Sequence, residues 1–409
     1  MYSNKIKYNS SFIWGAIFIY IISPILSIPL IIAGIRNRYY GSFLFFAILL
    51  ATIAYIMIPC QDLYRHTINY YYWQGQHLSD IKFDDLMLNG IITYVEWFMV
   101  NYSIPFEYLR FTEIFITFLL LSRIFNYQID YNYRNYTRSQ LINRIFIFIL
   151  FYDFFYTAEG VRFGLALSFY IFGIHKLINQ NSPKKCILYL IIAGAIHLAF
   201  IFLGPTSIFL YSLNLKKKNA LITVFVLFIL VGVLISKFGY LLGQRADWYF
   251  SGKTEGVASY SGMTIWGLIG FWLPKLGAIS YIYILYQYYN VYNKWTKMAM
   301  VWLIIAAITS NNPVLFYRVI WIFMAIGIYM ILSIERYDLI PKSIIKYTII
   351  CGLLFASVNV TRYYKVIYNS PVLVKLFFPS PLLFSTHTHF DKSWINHHIN
   401  TDGSLKNDK

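Results

Sequence analysis

The chain has 409 residues, of which 58% are hydrophobic and only 12% charged, with a formal net charge of +17. A soluble domain averages about 25% charged residues, so this composition excludes an ordinary water-soluble globule. Apolar runs long enough to cross a hydrocarbon core of about 30 Å recur along the chain, and they are continuous rather than alternating, which excludes a closed β-barrel. The expectation is an all-α, polytopic integral membrane protein. Residues 1–370 would form one transmembrane domain and residues 371–409 a polar, poorly ordered tail.

In chain order, the apolar runs between polar breaks predict spans at 11–34, 39–59, 106–125, 143–158, 160–177, 186–211, 219–237, 263–287, 297–311, 313–333 and 343–360. The first run is too long for the core of a cleavable signal and lacks a small-residue cleavage site, so it reads as a span. The segment 80–104 is amphipathic, carries Asp84, Asp85 and Glu96, and reads as a helix lying in the membrane interface, with a short crossing as the alternative. That gives about 11–12 transmembrane helices and one interfacial helix. Three scattered cysteines, Cys60, Cys186 and Cys351, have no metal or redox spacing and read as packing residues.

Basic clusters set the sidedness. They fall at Arg36/Arg38, Arg123/Arg134/Arg138/Arg144, Lys176/Lys184/Lys185, Lys216 to Lys218 and Lys294/Lys297. Placing them all in the cytoplasm satisfies the positive-inside rule. It requires an external N-terminus and a 186–211 run that enters and turns back, for which Gly194, His197, Gly204 and Pro205 provide the interruption. The remaining polar residues then share one face, outside the cytoplasm.

A charged side chain at bilayer depth costs about 2.5–3.5 kcal/mol on insertion scales, so such residues are functional candidates. "QDLYRH" supplies Asp62, Arg65 and His66; "TAEGVRFGLALSFY" supplies Glu159 and Arg162; "GQRADWYF" supplies Arg245 and Asp247; "NNPVLFYRVIW" supplies Arg318. The structural alternatives are a Glu159–Arg162 ion pair, solvated loop charges at Arg245 and Asp247, and an Arg65 reaching lipid phosphates. His197, in "IAGAIHLAF", is either a packing residue or a functional imidazole. The tail histidines, including His387, His389, His397 and His398, form no metal site.

Converging guanidiniums with few acids suit phosphate oxygens, because the planar fork binds them bidentately. No nucleotide-binding loop is present, so a pyrophosphate carried by a membrane lipid fits best. Arg65, Arg162, Arg245 and Arg318 would bind it and stabilise charge as it leaves. An acid or imidazole would accept the proton of an attacking sugar hydroxyl.

The motif "QDLYRH" at the end of a second span, "VRFGLALSFYIFGIHKL", "LIIAGAIHLAFIFL" with its mid-helix His, and "YRVIWIFMAIGIY" with its late Arg together resemble the EpsG/Wzy family of polysaccharide polymerases over residues 11 to 370. The resemblance implies an all-helical fold with a periplasm-facing cavity in the bacterial inner membrane. It implies a glycosyltransferase that moves a growing glycan from undecaprenyl pyrophosphate onto the terminal sugar of a lipid-linked repeat unit, without metal or other cofactor. The implied partners are the undecaprenyl-pyrophosphate-linked oligosaccharide, membrane lipids and a chain-length regulator (a polysaccharide co-polymerase), with no nucleic acid. Asp62, His66, His197 and Glu159 are the catalytic candidates.

An O-antigen ligase would use similar arginines but typically carries one large periplasmic loop, whereas 238–262 is short. A flippase or other transporter would show repeated halves and broken helices in matching positions. A membrane O-acyltransferase would need more than His197 alone.

Overall fold

A computed structural model describes residues 8–60, 62–83, 85–86, 90–132, 138–152, 154–213, 275–289, 294–310, 313–334, 340–362, 372–386 and 390–401, with the single positions 222, 226, 230, 265, 272 and 406. The described residues are helical throughout, with no strand among them. They divide into two compact units. The first comprises Met1–Asp130, Asp153–Gly204 and Val360–Lys409, and the second Tyr131–Tyr152 and Pro205–Asn359.

In the first unit, the run expected as one span at 11–34 is two helices, α1 (Ser10–Ile22) and α2 (Ser27–Asn37). Asn9 caps α1 through its side chain, which accepts from the Phe12 N–H at 3.0 Å, and the helix ends at Ser23, where Pro24 denies a donor to its last turn. The chain then reverses. A Cβ on Gly34 would strike the Phe12 ring and one on Gly15 would touch Leu30, so the two helices lie antiparallel, and Tyr8 returns to Tyr40 with ring centroids 6.4 Å apart. At 1.5 Å per residue neither helix reaches across a bilayer, so the run makes a hairpin, not a crossing. Tyr8 therefore lies at the same end of the hairpin as Arg36 and Arg38.

Next come α3 (Ser42–Ile56), α4 (Asp62–Tyr72), a single 3₁₀ turn at Leu78–Asp80, and α5 (Ile92–Asn101). Within the interfacial helix expected over 80–104, the described residues include the ten-residue α5, with Phe83, Asp85 and Leu86 also helical ahead of it. The long helix α6 (Phe106–Asn132) runs antiparallel to α3: Phe43 meets Phe125, Phe46 meets Phe118 and Tyr55 meets Tyr108, with centroids 5.2–6.1 Å apart. The span expected at 143–158 is split into α7 (Arg138–Phe151) and α8 (Phe154–Glu159). α9 (Val161–Gln180) follows directly, and α10 (Pro183–Ile196) starts with Pro at its first position, where the missing N–H costs nothing.

The run at 186–211 breaks at His197 and continues as α11 (Ala199–Ser212), which contains Pro205. A Cβ on Gly194 would meet Ile201 at 2.8 Å and one on Gly204 would meet Leu190 at 3.2 Å, so the chain does turn back here. One carbonyl released by the break is satisfied inside the protein, because the Ile91 N–H donates to Ala195 O at 2.8 Å. Gly90 makes that approach possible: its φ is +64°, and any Cβ would collide with the carbonyls of Ala195 and Ile196.

Residues 371–409, expected as a disordered tail, instead carry α16 (Val372–Lys375), α17 (Ser380–Thr386) and α18 (Lys392–His398) packed on the first unit. Leu376 O accepts from Ile25 N at 3.1 Å and Ser23 Oγ at 2.9 Å, while Leu383 and Ile395 are fully buried. His397 and His398 belong to α18, with His398 stacked on Trp394. His387 and His389 lie outside the described residues.

The second unit holds α12 (Leu276–Tyr288), α13 (Lys294–Ile308), α14 (Pro313–Ile334) and α15 (Lys342–Arg362), together with α7. α14 is buried along most of its length, and a Cβ on Gly327 would press on the Tyr281 ring of α12. Phe151 of α7 fits against Gly277 of α12 and Gly352 of α15. Among the described residues, Leu315–Ile334 is the one helix both long and apolar enough to cross a membrane; Ser10–Ile22, Ser42–Ile56, Gln140–Phe151 and Ala199–Ser212 are apolar but shorter.

Candidate functional site

The first unit has two chemically different ends. At one lie Arg36 and Arg38 beside the start of α3, with Arg123, Lys176 and Lys185 close enough to act on one another electrostatically. At the other lie the C-terminal end of α3, the N-terminal parts of α6 and α9, and the C-terminal end of α10. The opposed directions of α3 and α6, and of α9 and α10, enforce this segregation.

The second of these ends gathers most of the ionisable residues nominated by the sequence. Glu159, the last residue of α8, is buried; Arg162 is half-buried in the first turn of α9, just after Gly160. α4 packs against both α5 and α8, which brings His66, buried, and Arg65, exposed, to the same region. Asp62 opens α4. His197 caps the end of α10 with an extended backbone, and its ring meets Phe163, the neighbour of Arg162, edge-on at 5.2 Å. His197 Nδ1 accepts from the Ala199 N–H at 3.3 Å. In a neutral ring that bond leaves the proton on Nε2.

Four further residues join this end, none nominated from the sequence. Glu96 on α5 is 1% exposed and accepts from Asn69 Nδ2 at 2.9 Å. Its burial holds its carboxyl up at about 7, against the lowering pull of Arg162 and then of the Asn69 hydrogen bond. On α6, Glu107, Arg110 and Glu113 repeat at the spacing that puts them on one face. Arg110, 1% exposed, donates to Met57 O at 2.8 Å and Tyr55 O at 3.1 Å, closing the C-terminus of α3, where a cation is favoured. Glu107 accepts from the Phe390 N–H of the tail at 2.8 Å. Glu113, 3% exposed, lies within electrostatic reach of Glu96 and Arg162, and its Oε1 has no hydrogen-bond partner. Cys60 lies within reach of both Glu159 and Arg110.

The signal for these residues was present in the run 106–125. Apart from Arg123 near its far end, the run carries three charges within seven residues; such charges are expensive in an apolar helix unless they meet partners, and that rule alone nominates Glu107, Arg110 and Glu113.

Arg318 belongs to the second unit. It is half-buried near the start of α14, next to Tyr317, whose ring carries Lys275 Nζ 5.0 Å from its centroid. Lys275 is itself buried and also faces Trp272, at 5.6 Å, which in turn contacts Phe316. Arg245 lies outside the described residues. Among the described residues, no three His, Cys, Asp or Glu side chains are grouped as metal ligands would be.

The described residues thus form helices whose first unit gathers buried carboxylates and a guanidinium at one end. The chain belongs to the EpsG family, whose profile matches residues 69–373, the family of Wzy-type polysaccharide polymerases. Glu159, Arg162, His197, Arg245 and Arg318 fall within the matched stretch, whereas Asp62, Arg65 and His66 precede it. No curated protein and no solved structure matches the chain.

Proposed function

We propose that the chain is a membrane glycosyltransferase that transfers a growing glycan from undecaprenyl pyrophosphate to the terminal sugar hydroxyl of a lipid-linked repeat unit. The observation that carries this reading, beside the family, is the position of Arg162. It stands with Glu159, His66 and His197 at the end of the first unit opposite Arg36, Arg123, Lys176 and Lys185. A membrane enzyme obeying the positive-inside rule would turn the basic end to the cytoplasm and this end to the periplasm, where the lipid-linked repeats are joined.

In that reaction the acceptor oxygen bonds to the anomeric carbon, and the bond from that carbon to the pyrophosphate breaks, its electron pair leaving with the diphosphate. In the first unit Arg162 and Arg65 bind the diphosphate; Arg318 of the second unit and Arg245 are held as separate phosphate-contact candidates. Glu159, His66 and Asp62 are the candidates for the base that takes the hydroxyl proton. His197 has its Nδ1 engaged by a backbone N–H, so its Nε2–H suits donation to an oxygen of the leaving diphosphate rather than proton uptake. The helices α6, α9, α14 and α15 each reach roughly 30 Å or more at 1.5 Å per residue, long enough to serve as spans of a polytopic inner-membrane protein. A chain-length regulator remains a proposed partner.

The test is a reaction of purified full-length protein in vesicles with undecaprenyl-pyrophosphate-linked repeat unit alone. Polymerase activity yields lipid-linked glycans of several repeats. Products formed only when a lipid A core acceptor is added identify a ligase, and movement of the repeat across the bilayer with no new glycosidic bond identifies a flippase.

A further inference from the structure

We propose that Glu96 and Glu113 form with Arg162 a proton-linked anion site, in which binding of a diphosphate is accompanied by uptake of one proton between the two carboxylates. The proposal deepens the function above and rests on Arg162 being a diphosphate ligand.

Two buried carboxylates from different helices, α5 and α6, lie within electrostatic reach of each other and of a single guanidinium. Glu96 is anchored by the Asn69 amide, and Glu113 keeps an oxygen without a hydrogen-bond partner at 3% exposure. Such an orphaned buried oxygen is costly while its carboxyl is charged, and taking up a proton lessens that cost. Like charges at close range cannot both stay ionised without a counter-charge. When Arg162 turns its positive charge to a bound diphosphate, the pair loses its counter-charge and gains a proton; when the diphosphate leaves, the proton is released.

Among the described residues, the other titratable groups at this end are Asp62, Arg65 and His66 from α4, Glu107 and Arg110 from α6, Glu159 from α8, His197 at the end of α10 and Cys60. Arg110 is committed to the Met57 and Tyr55 carbonyls and Glu107 to the tail. His66 and His197 are the imidazoles at this end, and the test includes the first. The Glu96 carboxyl, which burial holds at about 7, titrates in the range where such linkage is measurable.

The sign follows from the charge. Protonation removes a negative neighbour from Arg162, so an anion binds more tightly as pH falls through the neutral range, and linkage requires that its binding raise the proton affinity of the pair by the same factor. The experiment measures binding of the methyl ester of undecaprenyl pyrophosphate, a diphosphate diester with no ionisation of its own near neutrality, to the purified full-length protein in detergent. Binding should be about tenfold tighter near about pH 6 than near about pH 8, the limit for one proton titrating around neutrality. E96Q keeps the Asn69 contact and should bind with an affinity that no longer depends on pH, while H66Q keeps the slope. Infrared spectra of the same samples should contain a carboxylic-acid carbonyl band near neutral pH that E96Q removes. A pH-independent affinity in the wild type, a slope that persists in E96Q, or one that disappears in H66Q overturns the proposal. So does the lack of the acid band, even where binding itself is intact and the diphosphate reading stands. No binding at any pH, with the acid band present, overturns both, because the carboxylates then share a proton without an anion to link it to.

Discussion

Arg110 and Arg162 stand at the same end of the first unit, yet their surroundings assign them different work. Arg110 donates to two backbone carbonyls that α3 leaves open, whereas Arg162 faces buried acids at the start of α9. Removing one partner of a buried charged network costs about 3–5 kcal/mol, so Arg110→Met should lower the thermal midpoint sharply. Arg162→Lys keeps the charge and loses the fork; it should fold normally and lose most transfer activity. The pair of measurements, thermal unfolding and polymerisation, checks both; a stable, inactive Arg110 variant would reverse the assignment.

Glu96 adds a stability prediction at the same scale. Its folded value of about 7 lies above the roughly 4.3 of an unfolded glutamate, so the folded state binds the proton more tightly. Stability from this group is therefore largest at low pH and declines as pH rises from about 4.3 to about 7. E96Q should flatten the pH dependence of the midpoint over that window, and an unchanged profile would mean that another group dominates it.

Among the elements, the broken helix at His197 depends on one glycine from elsewhere in the chain. Gly90, at φ +64° and against the Ala195 and Ile196 carbonyls, lets Ile91 close the C-terminus of α10. Gly90→Ala should cost about 1–3 kcal/mol, since it adds a steric clash to a strained backbone, and a thermal midpoint equal to wild type would show that the junction relaxes freely. The tail acts in the opposite direction, from outside inward. Phe384 sits against Tyr55 and Phe111, Tyr71 OH donates to Phe390 O at 3.0 Å, and Glu107 holds the Phe390 N–H. Ending the chain before α16 uncovers these groups and should lower the midpoint, with loss of activity following the loss of folded protein.

For the whole molecule, the ring contact between Tyr8 and Tyr40 and the antiparallel α1–α2 pair put the N-terminal residues at the basic end. If that end is cytoplasmic, cysteines placed at Tyr8 and Tyr40 should resist an impermeant thiol reagent applied outside intact cells, and one at Tyr72, 61% exposed, should react. External labelling at Tyr8 with protection at Tyr72 would invert the orientation.

Composition and the length of the apolar runs were enough to determine an all-helical chain, since a sequence so poor in charge can satisfy its backbone without water only within helices. Local chemistry also marked the run around His197 as one that turns back, although the break falls at His197 itself and Gly194, Gly204 and Pro205 lie within the flanking helices. What the sequence could not determine was which charges meet. Glu96, Glu107, Arg110 and Glu113 become a cluster only because α5 and α6 pack beside α4, α8 and α9, and that adjacency is set by contacts between residues far apart in the chain. The same holds for the first apolar run and the tail. A hydropathy reading sees one stretch long enough to cross and one polar end, while the folded chain doubles the first on itself at Pro24 and buries Leu376, Leu383 and Ile395 of the second, because the surface that covers them exists only once the helices have assembled.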